Sequence, residues 1–438
     1  MNFVSKNKFF IPLVVLMTGL AASTGGADET QVLTLQESYQ KALQQSESVA
    51  MSEQNIRIAE GHYLEALGSV LPHISVKASE LLQDTSGDTS AGGSSVGSTF
   101  TRRSRPEVAI NLKQPLFQGF REFRALKVSG AEKKEDAFQV ERAKQLLFFD
   151  VARAYYAVLQ LEDQLKILES IRSVTQKRSR DLHERIRLGK SRESERLTVE
   201  SQLASQEAEI EKVRGLIDSA HEMLGFLIGE PVQKKLGDHF QVPAHTAPLS
   251  TYLAALKTRP DIKATGEGIR LSKGKLDYEK GGLLPTVNLE SNYYPYRVGF
   301  ASDIKWDVLL TLNFPLFEGG ARRGLIKEAS AGLRQSELYH QATARAAERD
   351  VREAYHNLVA SLRREEALRI AASKAQENYQ SQVGEYRLGL VNNLDTLQAL
   401  RDWEEQRLND NASHYETKLN YLQLKISSGD LNLEGLLK

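Results

Sequence analysis

Residues 147–168 read LFFDVARAYYAVLQLEDQLKIL, and this stretch decides the fold. Its apolar side chains are spaced alternately four and three residues apart, which is the pattern of a coiled-coil seam. No proline occurs between Pro115 and Pro231, so one helix can run from Phe120 to Leu188. At about 1.5 Å per residue that helix is about 100 Å long, which exceeds the diameter of an ordinary domain. The seam positions are Leu147, Val151, Ala154, Val158, Leu161, Leu165 and Leu168.

The chain turns back at Leu188-Gly189, a second helical pattern follows as far as Leu227, and the same landmarks recur in the second half. Leu71-Pro72 and Leu284-Pro285 are 213 positions apart, and after a Ser/Gly-rich loop the separation becomes 200. Two separations, each constant on its own side of a loop, indicate an internal duplication of helix, strand, loop, strand, long helix, turn and helix. Pairs at the second separation include Pro115/Pro315, Gly119/Gly319, Val151/Val351, Tyr155/Tyr355 and Gly189/Gly389.

A shorter helical pattern precedes each pair of strands. It runs from Thr34 to Leu71 in the first half and from Leu249 to Leu284 in the second, and a proline follows each. We predict one helix for each pattern. The first of them and a helix from Arg192 to Ile228, stacked end to end, match the long helix in length and can run beside it.

The first residues predict a secretory signal peptide, because lysines precede an apolar run from Phe9 to Leu20 and small residues follow it. A transmembrane anchor is the weaker alternative, since the run is shorter than the about 20 residues that span a bilayer. The predicted segments are a signal peptide at 1–27, a first repeat at 28–229, a linker or equatorial segment at 230–248 and a second repeat at 249–438. In the first repeat we expect strands at about 73–83 and 106–114 and a helical hairpin at 120–228. In the second we expect strands at about 286–295 and 303–314 and a helical hairpin at 319–428.

Charge and composition exclude several classes of function. The chain carries 57 basic and 57 acidic side chains among 438 residues, which argues against general nucleic-acid binding. It contains no cysteine, so it has no disulfide, no thiolate metal site and no cysteine nucleophile. Lys190-Ser191 lacks the preceding glycine and strand of a phosphate-binding loop, and His183 and His221 have no second histidine four positions on. We expect no enzyme, no cofactor and no metal site.

The four short strands alternate apolar and polar residues, as Ile74, Val76 and Ala78 show by sharing one face of the first strand. Four strands alone leave unpaired edges, and they are too few for a membrane barrel, which needs about eight. Two solutions stay open. Several chains can share one barrel, with aromatic side chains at the membrane interface, or the strands form a soluble sandwich or edge-paired sheet with those aromatics in its core. The aromatic residues are Tyr293, Tyr294, Tyr296 and Trp306.

The duplicated order of Leu-Pro, strand pair, Pro-Leu-Phe-x-Gly, long helix and Leu-Gly turn resembles that of the TolC-like outer-membrane efflux protein family, over essentially the whole mature chain. The resemblance implies a mainly α fold with a small β part. It implies a homotrimer whose twelve strands form one outer-membrane β-barrel, continued by a periplasmic α-helical coiled-coil tunnel. The location would be the outer membrane of a Gram-negative bacterium, with the helices extending into the periplasm.

The same resemblance implies an exit duct of a tripartite efflux pump or of a type I secretion system. The implied partners are a periplasmic adaptor (membrane fusion) protein, an inner-membrane transporter of RND or ABC type, and outer-membrane lipid. The alternative function is a soluble periplasmic coiled-coil structural or adaptor protein, which has no need of two strand pairs at the same point of each repeat. A general diffusion porin is disfavoured, because most of the chain has a helical pattern.

In that family the helix turns form the closed periplasmic end. A glycine followed six residues later by an acidic residue occurs here twice, as Gly189 with Glu195 and Gly389 with Asp395. The resemblance implies a periplasmic gate at Glu195, Asp395 and Gln398, where Gln398 stands at a place that many members fill with an acidic residue. It also implies adaptor contact at the two tips, formed by Leu188, Gly189, Lys190, Leu388, Gly389 and Leu390.

Asp395 admits two interpretations. Three copies on a common axis would form a ring of like charge that favours cations and pairs with Arg187 or Arg387. The plainer interpretation is that Asp395 caps the start of the returning helix, where a carboxylate is favoured by the helix dipole.

Overall fold

A computed structural model describes residues 32–84, 103–243, 245–299 and 301–429. The signal peptide predicted at 1–27 and most of the Ser/Gly-rich loop lie outside these residues. The expected mainly α fold with a small β part is confirmed. The first half contains α1 (Leu35–Gln45), α2 (Glu47–Gly68), β1 (His73–Leu82), β2 (Ser104–Phe117), α3 (Arg121–Arg187) and α4 (Glu193–Ile228). The second half contains α5 (Leu249–Ala255), a 3-10 turn (Leu256–Thr258), α6 (Pro260–Gly281), β3 (Thr286–Arg297), β4 (Trp306–Asn313), α7 (Ala321–Leu388) and α8 (Asn393–Ser428).

The two short helical patterns do not form one helix each, so that part of the prediction was wrong. Ser46 leaves the helical backbone at ψ 108°, and its hydroxyl accepts the amide of Val49 at 3.4 Å to start α2. Serine favours such a boundary because its side chain competes for backbone hydrogen bonds. The second pattern is divided at Arg259, because Pro260 is the first residue of α6 and disfavours a helical residue before it.

The sheet is antiparallel in the order β1-β2-β3-β4. Residues that pair directly across such a sheet point to the same face, so the side chains of one transverse row all meet the same surroundings. Asn111 donates to Asn292 at 2.7 Å, and Asn292 donates to Asp307 at 2.8 Å, which ties one row together. That polar row is Ser75, Asn111, Asn292 and Asp307, and the adjacent row on the opposite face is Val76, Ile110, Tyr293 and Trp306.

The four aromatic residues of the strands do not all lie on the apolar face. Tyr293, Tyr296 and Trp306 are exposed, whereas Tyr294 is buried and its hydroxyl donates to Asp307 at 2.9 Å. At a bulge in the β2–β3 pairing, Tyr294 and Pro295 of β3 lie opposite the single residue Ala109 of β2, so Tyr293 and Tyr296 face the same way. Only Tyr294 therefore belongs with the polar row.

α3 carries the main core of the molecule. Its seam positions Val151 and Val158 are fully buried, and Leu168 is nearly so. Phe148 and Tyr155 pack beside the seam against the neighbouring helices. The heptad spacing thus places one continuous apolar stripe of α3 inside the protein. In the ranges that are described, no helix is both long and apolar enough to cross a membrane.

The segment between α4 and α5 packs against the helices near their middle. The Tyr155 hydroxyl lies 2.8 Å from the carbonyl oxygen of Leu33 and 2.6 Å from that of Gly237. Lys418 of α8 forms a largely buried ion pair with Asp238. These contacts join the start of α1, α3, α8 and the segment in one layer.

Candidate functional site at the helix tips

Both long helices end in a glycine turn of the same geometry. Gly189 has φ 70° and Gly389 has φ 76°, a conformation that only glycine adopts without strain. The amide of the next residue, Lys190 or Leu390, donates to the carbonyl oxygen five positions earlier at 2.8 and 3.0 Å. Such bonds satisfy carbonyl groups left free at the helix end.

The turns present leucines to solvent. Leu188, Leu388 and Leu390 are 63, 76 and 71 % exposed, and Lys190 is exposed as well. In one chain, the residues expected to contact an adaptor are therefore accessible. Leu394, the second residue of α8, adds another exposed leucine near the second tip.

Glu195 connects the first tip to the second hairpin. Its Oε2 accepts a hydrogen bond from the Ser191 hydroxyl at 2.6 Å and another from the Tyr386 hydroxyl at 3.0 Å. Ser191 belongs to the same turn as Glu195, whereas Tyr386 lies in the last turn of α7. The carboxylate of Glu195 is thus hydrogen-bonded to the second hairpin rather than free at the surface.

A buried arginine forms the second connection. Arg178 of α3 is 7 % exposed, and its Nε and Nη2 donate to Oδ1 of Asn393 at 3.0 and 2.5 Å. Its guanidinium also lies over the ring of Tyr386, 4.7 Å from the centroid. Burial lowers the pKa of Arg178, and the amide and the aromatic ring replace the water that this charge has lost.

Apolar contacts continue the connection away from the tips. Leu182, Val199 and Leu397 form a buried cluster with Tyr386 beside it, so α3, α4, α7 and α8 all contribute. Two turns of α7 further from the tip, Tyr379 stacks on Trp403 with ring centroids 5.5 Å apart. The two hairpins consequently meet through polar contacts at the tip and through packed side chains above it.

Asp395 caps α8. Its carboxylate accepts the amide of Asn392 at 3.1 Å, and its own amide donates to the Asn392 side chain at 3.0 Å. This reciprocal pair is a capping box, which agrees with the plainer interpretation of the residue. Gln398 is exposed one turn later and donates to Asp402 at 2.8 Å.

The expected partners of Asp395 do not pair with it within the chain. Arg187 instead pairs with Glu184 at 2.6 Å on its own helix, because the two lie three residues apart on one face. In the described ranges, Arg387 forms no ion pair with Asp395 either.

The model of the outer membrane efflux protein family matches residues 38–230 and 251–430, which is most of the chain. The chain belongs to the outer membrane efflux protein family. Outer membrane protein TolC of Salmonella enteritidis is 22 % identical to this efflux protein over 443 residues, covering 97 % of this chain and 87 % of that one.

Solved structures agree with the fold. Outer membrane protein VceC of Vibrio cholerae superposes with a TM-score of 0.79 at 18 % identity, covering 90 % of this chain and 96 % of its own. The CmeC outer membrane channel of Campylobacter jejuni gives 0.77 at 15 % identity over 90 and 85 %. The efflux protein is an outer-membrane exit duct for efflux or secretion in a Gram-negative bacterium, and it is not an enzyme.

Sequence reasoning missed three residues of the efflux protein's tip region: Arg178, Tyr386 and Asn393. For Tyr386 the sequence held a weak indication, because its equivalent in the first repeat is Ile186. A residue with a hydroxyl group in place of an aliphatic one, next to a turn, suggests a hydrogen bond. Arg178 and Asn393 carried none, since each resembles the many charged and polar residues of these helices.

Proposed function

We propose that three copies of this chain close a ring in which twelve strands form one outer-membrane barrel and the helices form a periplasmic tunnel. In this proposal residues 28–229 and 249–438 act as two equivalent staves, joined by 230–248 after removal of a signal peptide at 1–27. The observation that carries it is a set of contacts that the first repeat makes with the second inside the chain. The residues that the duplication relates to them, in β1, α2, β4 and the turn before α7, make no such contact within the described ranges.

The strands supply the first such contact. β2 pairs with β3 inside the chain, with Asn111 opposite Asn292. The duplication relates β2 to β4 and β3 to β1, so the free edge of β4 matches the free edge of β1 in a neighbouring copy. Thr311 is the equivalent of Asn111 at a separation of 200, and Ser79 is the equivalent of Asn292 at a separation of 213. The duplication therefore predicts that Thr311 lies opposite Ser79 of the neighbour. Pairing of this kind removes both exposed edges.

The helices supply the second contact. Gly119, at the start of α3, packs so closely on α6 that a Cβ there would lie 2.2 Å from the carbonyl oxygen of Gly281. The equivalent glycines are Gly319 and Gly68, and neither has an atom within 4 Å of a Cβ position. In a ring, Gly319 of one copy meets Gly68 of the next.

Exposure of α2 supports the same neighbour. Ala264 and Leu276 are 4 and 8 % exposed, and they lie on α6, which packs against both α3 and α7. Their equivalents in α2 are Met51 and Tyr63, which are 64 and 42 % exposed. Covering these side chains with α7 of another copy would bury apolar surface, at about 25 cal/mol for each Å².

The two faces of the sheet fit a barrel wall. The apolar face carries Val76, Ile110 and exposed Trp306, which suits contact with outer-membrane lipid. The opposite face carries the hydrogen-bonded polar row that includes Asn292 and Asp307, which suits a water-filled lumen. Tyr294 then lines the lumen rather than the lipid interface.

The helix tips are proposed as the gate. The contacts of Tyr386 with Glu195 and of Arg178 with Asn393 hold the second hairpin against the first, and opening requires them to break. Three exposed copies of Asp395 around the axis bias the mouth towards cations, and Gln398 lies one turn above that ring. The capping box orients the same carboxylate, so both interpretations of Asp395 hold together.

A periplasmic adaptor is proposed to contact the tips at Leu188, Gly189, Lys190, Leu388, Gly389 and Leu390. Energy for transport comes from an inner-membrane transporter of RND or ABC type. The exposed leucines support this role, because accessible apolar side chains at the end of a helical assembly favour a protein partner.

Fractionation and bilayer recording test the proposal. The protein should be found in the outer-membrane fraction as heat-dissociable oligomers, and the purified oligomer should form ion channels in planar lipid bilayers. A soluble periplasmic coiled-coil protein would appear in the periplasmic fraction and form no channels, and that result would exclude the duct.

A further inference from the structure

The two tips of the chain occupy equivalent places but differ in chemistry. After Gly189 the first turn continues Lys190-Ser191-Arg192, whereas after Gly389 the second continues Leu390-Val391-Asn392. The backbone geometry is the same, so the difference lies in the side chains alone. One tip ends in two cations and the other in two apolar residues and an amide.

The acidic residues around the tips are already engaged. Glu184 pairs with Arg187, Glu193 pairs with Arg196, and Glu195 accepts from Ser191 and Tyr386, so each has its partner within the chain. Glu385 and Asp395 are bound as well, to the Ser381 hydroxyl and to the Asn392 amide respectively.

The outermost cations are not engaged. Lys190, Arg192 and Arg387 are exposed, and within the described part of the chain none of them forms an ion pair. Lys190 and Arg192 closely follow exposed Leu188 in the sequence, and Arg387 directly precedes exposed Leu388. The surface available to a partner therefore combines leucines with positive charge.

We infer that the first tip binds an acidic segment of its partner, a helical-hairpin turn whose exposed residues include glutamate or aspartate, while the second tip binds an apolar segment. This inference rests on the proposed docking of an adaptor at the tips. Complementary charge at an exposed rim acts mainly on the association rate and on the choice of partner, and added salt weakens it. The acidic turn is thus the feature by which this duct selects among adaptors.

Designed coiled-coil hairpins test the inference without knowledge of the natural adaptor. Three hairpins share one sequence with leucines at the turn and differ only in two turn residues, which are glutamate, glutamine or lysine. Their binding to the full-length protein in detergent is measured at about 50 and 300 mM salt. We expect the glutamate hairpin to bind at least tenfold more tightly than the lysine hairpin, and salt to reduce the difference.

Charge reversal supplies the matched variants. The double variant Lys190→Glu, Arg192→Glu should prefer the lysine hairpin. The control Arg345→Glu, Arg363→Glu makes the same charge change on exposed arginines of α7, at least about 36 Å from the tip, and should keep the wild-type order. An unchanged order in the tip variant, equal binding of all three hairpins, or binding of none would overturn the inference.

Channel recordings on the same samples separate this inference from the proposed function. If the protein forms channels but binds the three hairpins equally, the proposed duct stands and the inferred acidic partner is contradicted. Charge-selective binding without channels would contradict the duct, while the specificity of the first tip would stand.

Discussion

The phenolic hydroxyl of Tyr386 donates a 3.0 Å hydrogen bond to Oε2 of Glu195, and the two residues belong to different helical hairpins. Ser191 donates to the same oxygen at 2.6 Å, so the carboxylate is held from both sides. Burial raises the pKa of Tyr386 further above neutral pH. The contact makes movement of one hairpin costly unless the other moves with it.

Tyr386→Phe removes only that hydroxyl and leaves the ring beneath Arg178 and Arg185. We expect a higher single-channel conductance in planar bilayers, because the hairpins lose one hydrogen bond to a charged acceptor. The control is Tyr379→Phe, the same chemical change two turns away on α7. If Tyr386→Phe conducts as the wild type does, this hydrogen bond does not hold the gate.

Arg178→Met tests the buried connection. It leaves Oδ1 of Asn393 without its two donors, and we expect the free energy of unfolding to fall by about 2 kcal/mol. Urea unfolding followed by circular dichroism measures this. Arg180→Met, two residues away on an exposed part of α3, should change it by less than about 0.5 kcal/mol. Equal stability of the two variants would show that the Arg178 contact contributes nothing.

Two substitutions of Asp395 distinguish its charge at the mouth from its role in capping α8. Asp395→Ala removes the charge and the acceptor for the Asn392 amide, whereas Asp395→Asn removes the charge and keeps that acceptor; the amide of residue 395 can still donate to the Asn392 side chain in both. We expect both variants to conduct better and to lose block by divalent cations. Wild-type conductance and block in both would mean that Asp395 acts only as a cap.

Glu404 links stability to pH. Burial raises its pKa above the ordinary value of 4.5, although a hydrogen bond from Gln206 at 2.9 Å opposes this. The folded state therefore favours the protonated form of Glu404. The stability that depends on this protonation is fully present below about pH 4.5 and is lost as the pH rises through the raised pKa. We expect Glu404→Gln to unfold about 1 to 4 °C higher than the wild type at pH 7.5 and at the same temperature at pH 4.

The exposed neighbour Glu405 provides the control for this effect. Glu405→Gln should leave the unfolding temperature unchanged at both pH values, because its side chain is exposed. A higher unfolding temperature for Glu404→Gln at pH 4 but not at pH 7.5 would reverse the expected sign and contradict the account of its burial.

The order of elements and both glycine turns were predictable from the sequence, because heptad spacing and a glycine after a long helix are local signals. The break at Ser46 was not, since a serine within a helical pattern more often faces solvent. Alternation alone would put Tyr294 and Tyr296 on one face, and it does not reveal the bulge in the β2–β3 pairing that brings Tyr296 to the face of Tyr293.

The connections at the tips were beyond sequence reasoning. Arg178 and Asn393 are 215 positions apart, and Glu195 and Tyr386 are 191 apart. Pairs so distant become neighbours only after both hairpins have packed. The long helices carry many charged residues, and nothing in the local sequence distinguishes a buried one such as Arg178 from those that are exposed.

The pairing of β4 with β1 of a neighbouring copy is tested most directly by cysteine crosslinking, since the natural chain has no cysteine. In the variant Ser79→Cys, Thr311→Cys, oxidation should join chains into a species of three and no larger, because the proposed register places the two residues directly opposite each other. The control Ser75→Cys, Thr311→Cys shifts one cysteine by four residues, about 13 Å, and should remain single chains. Crosslinking of the control alone, or no interchain product in either variant, would contradict the shared barrel.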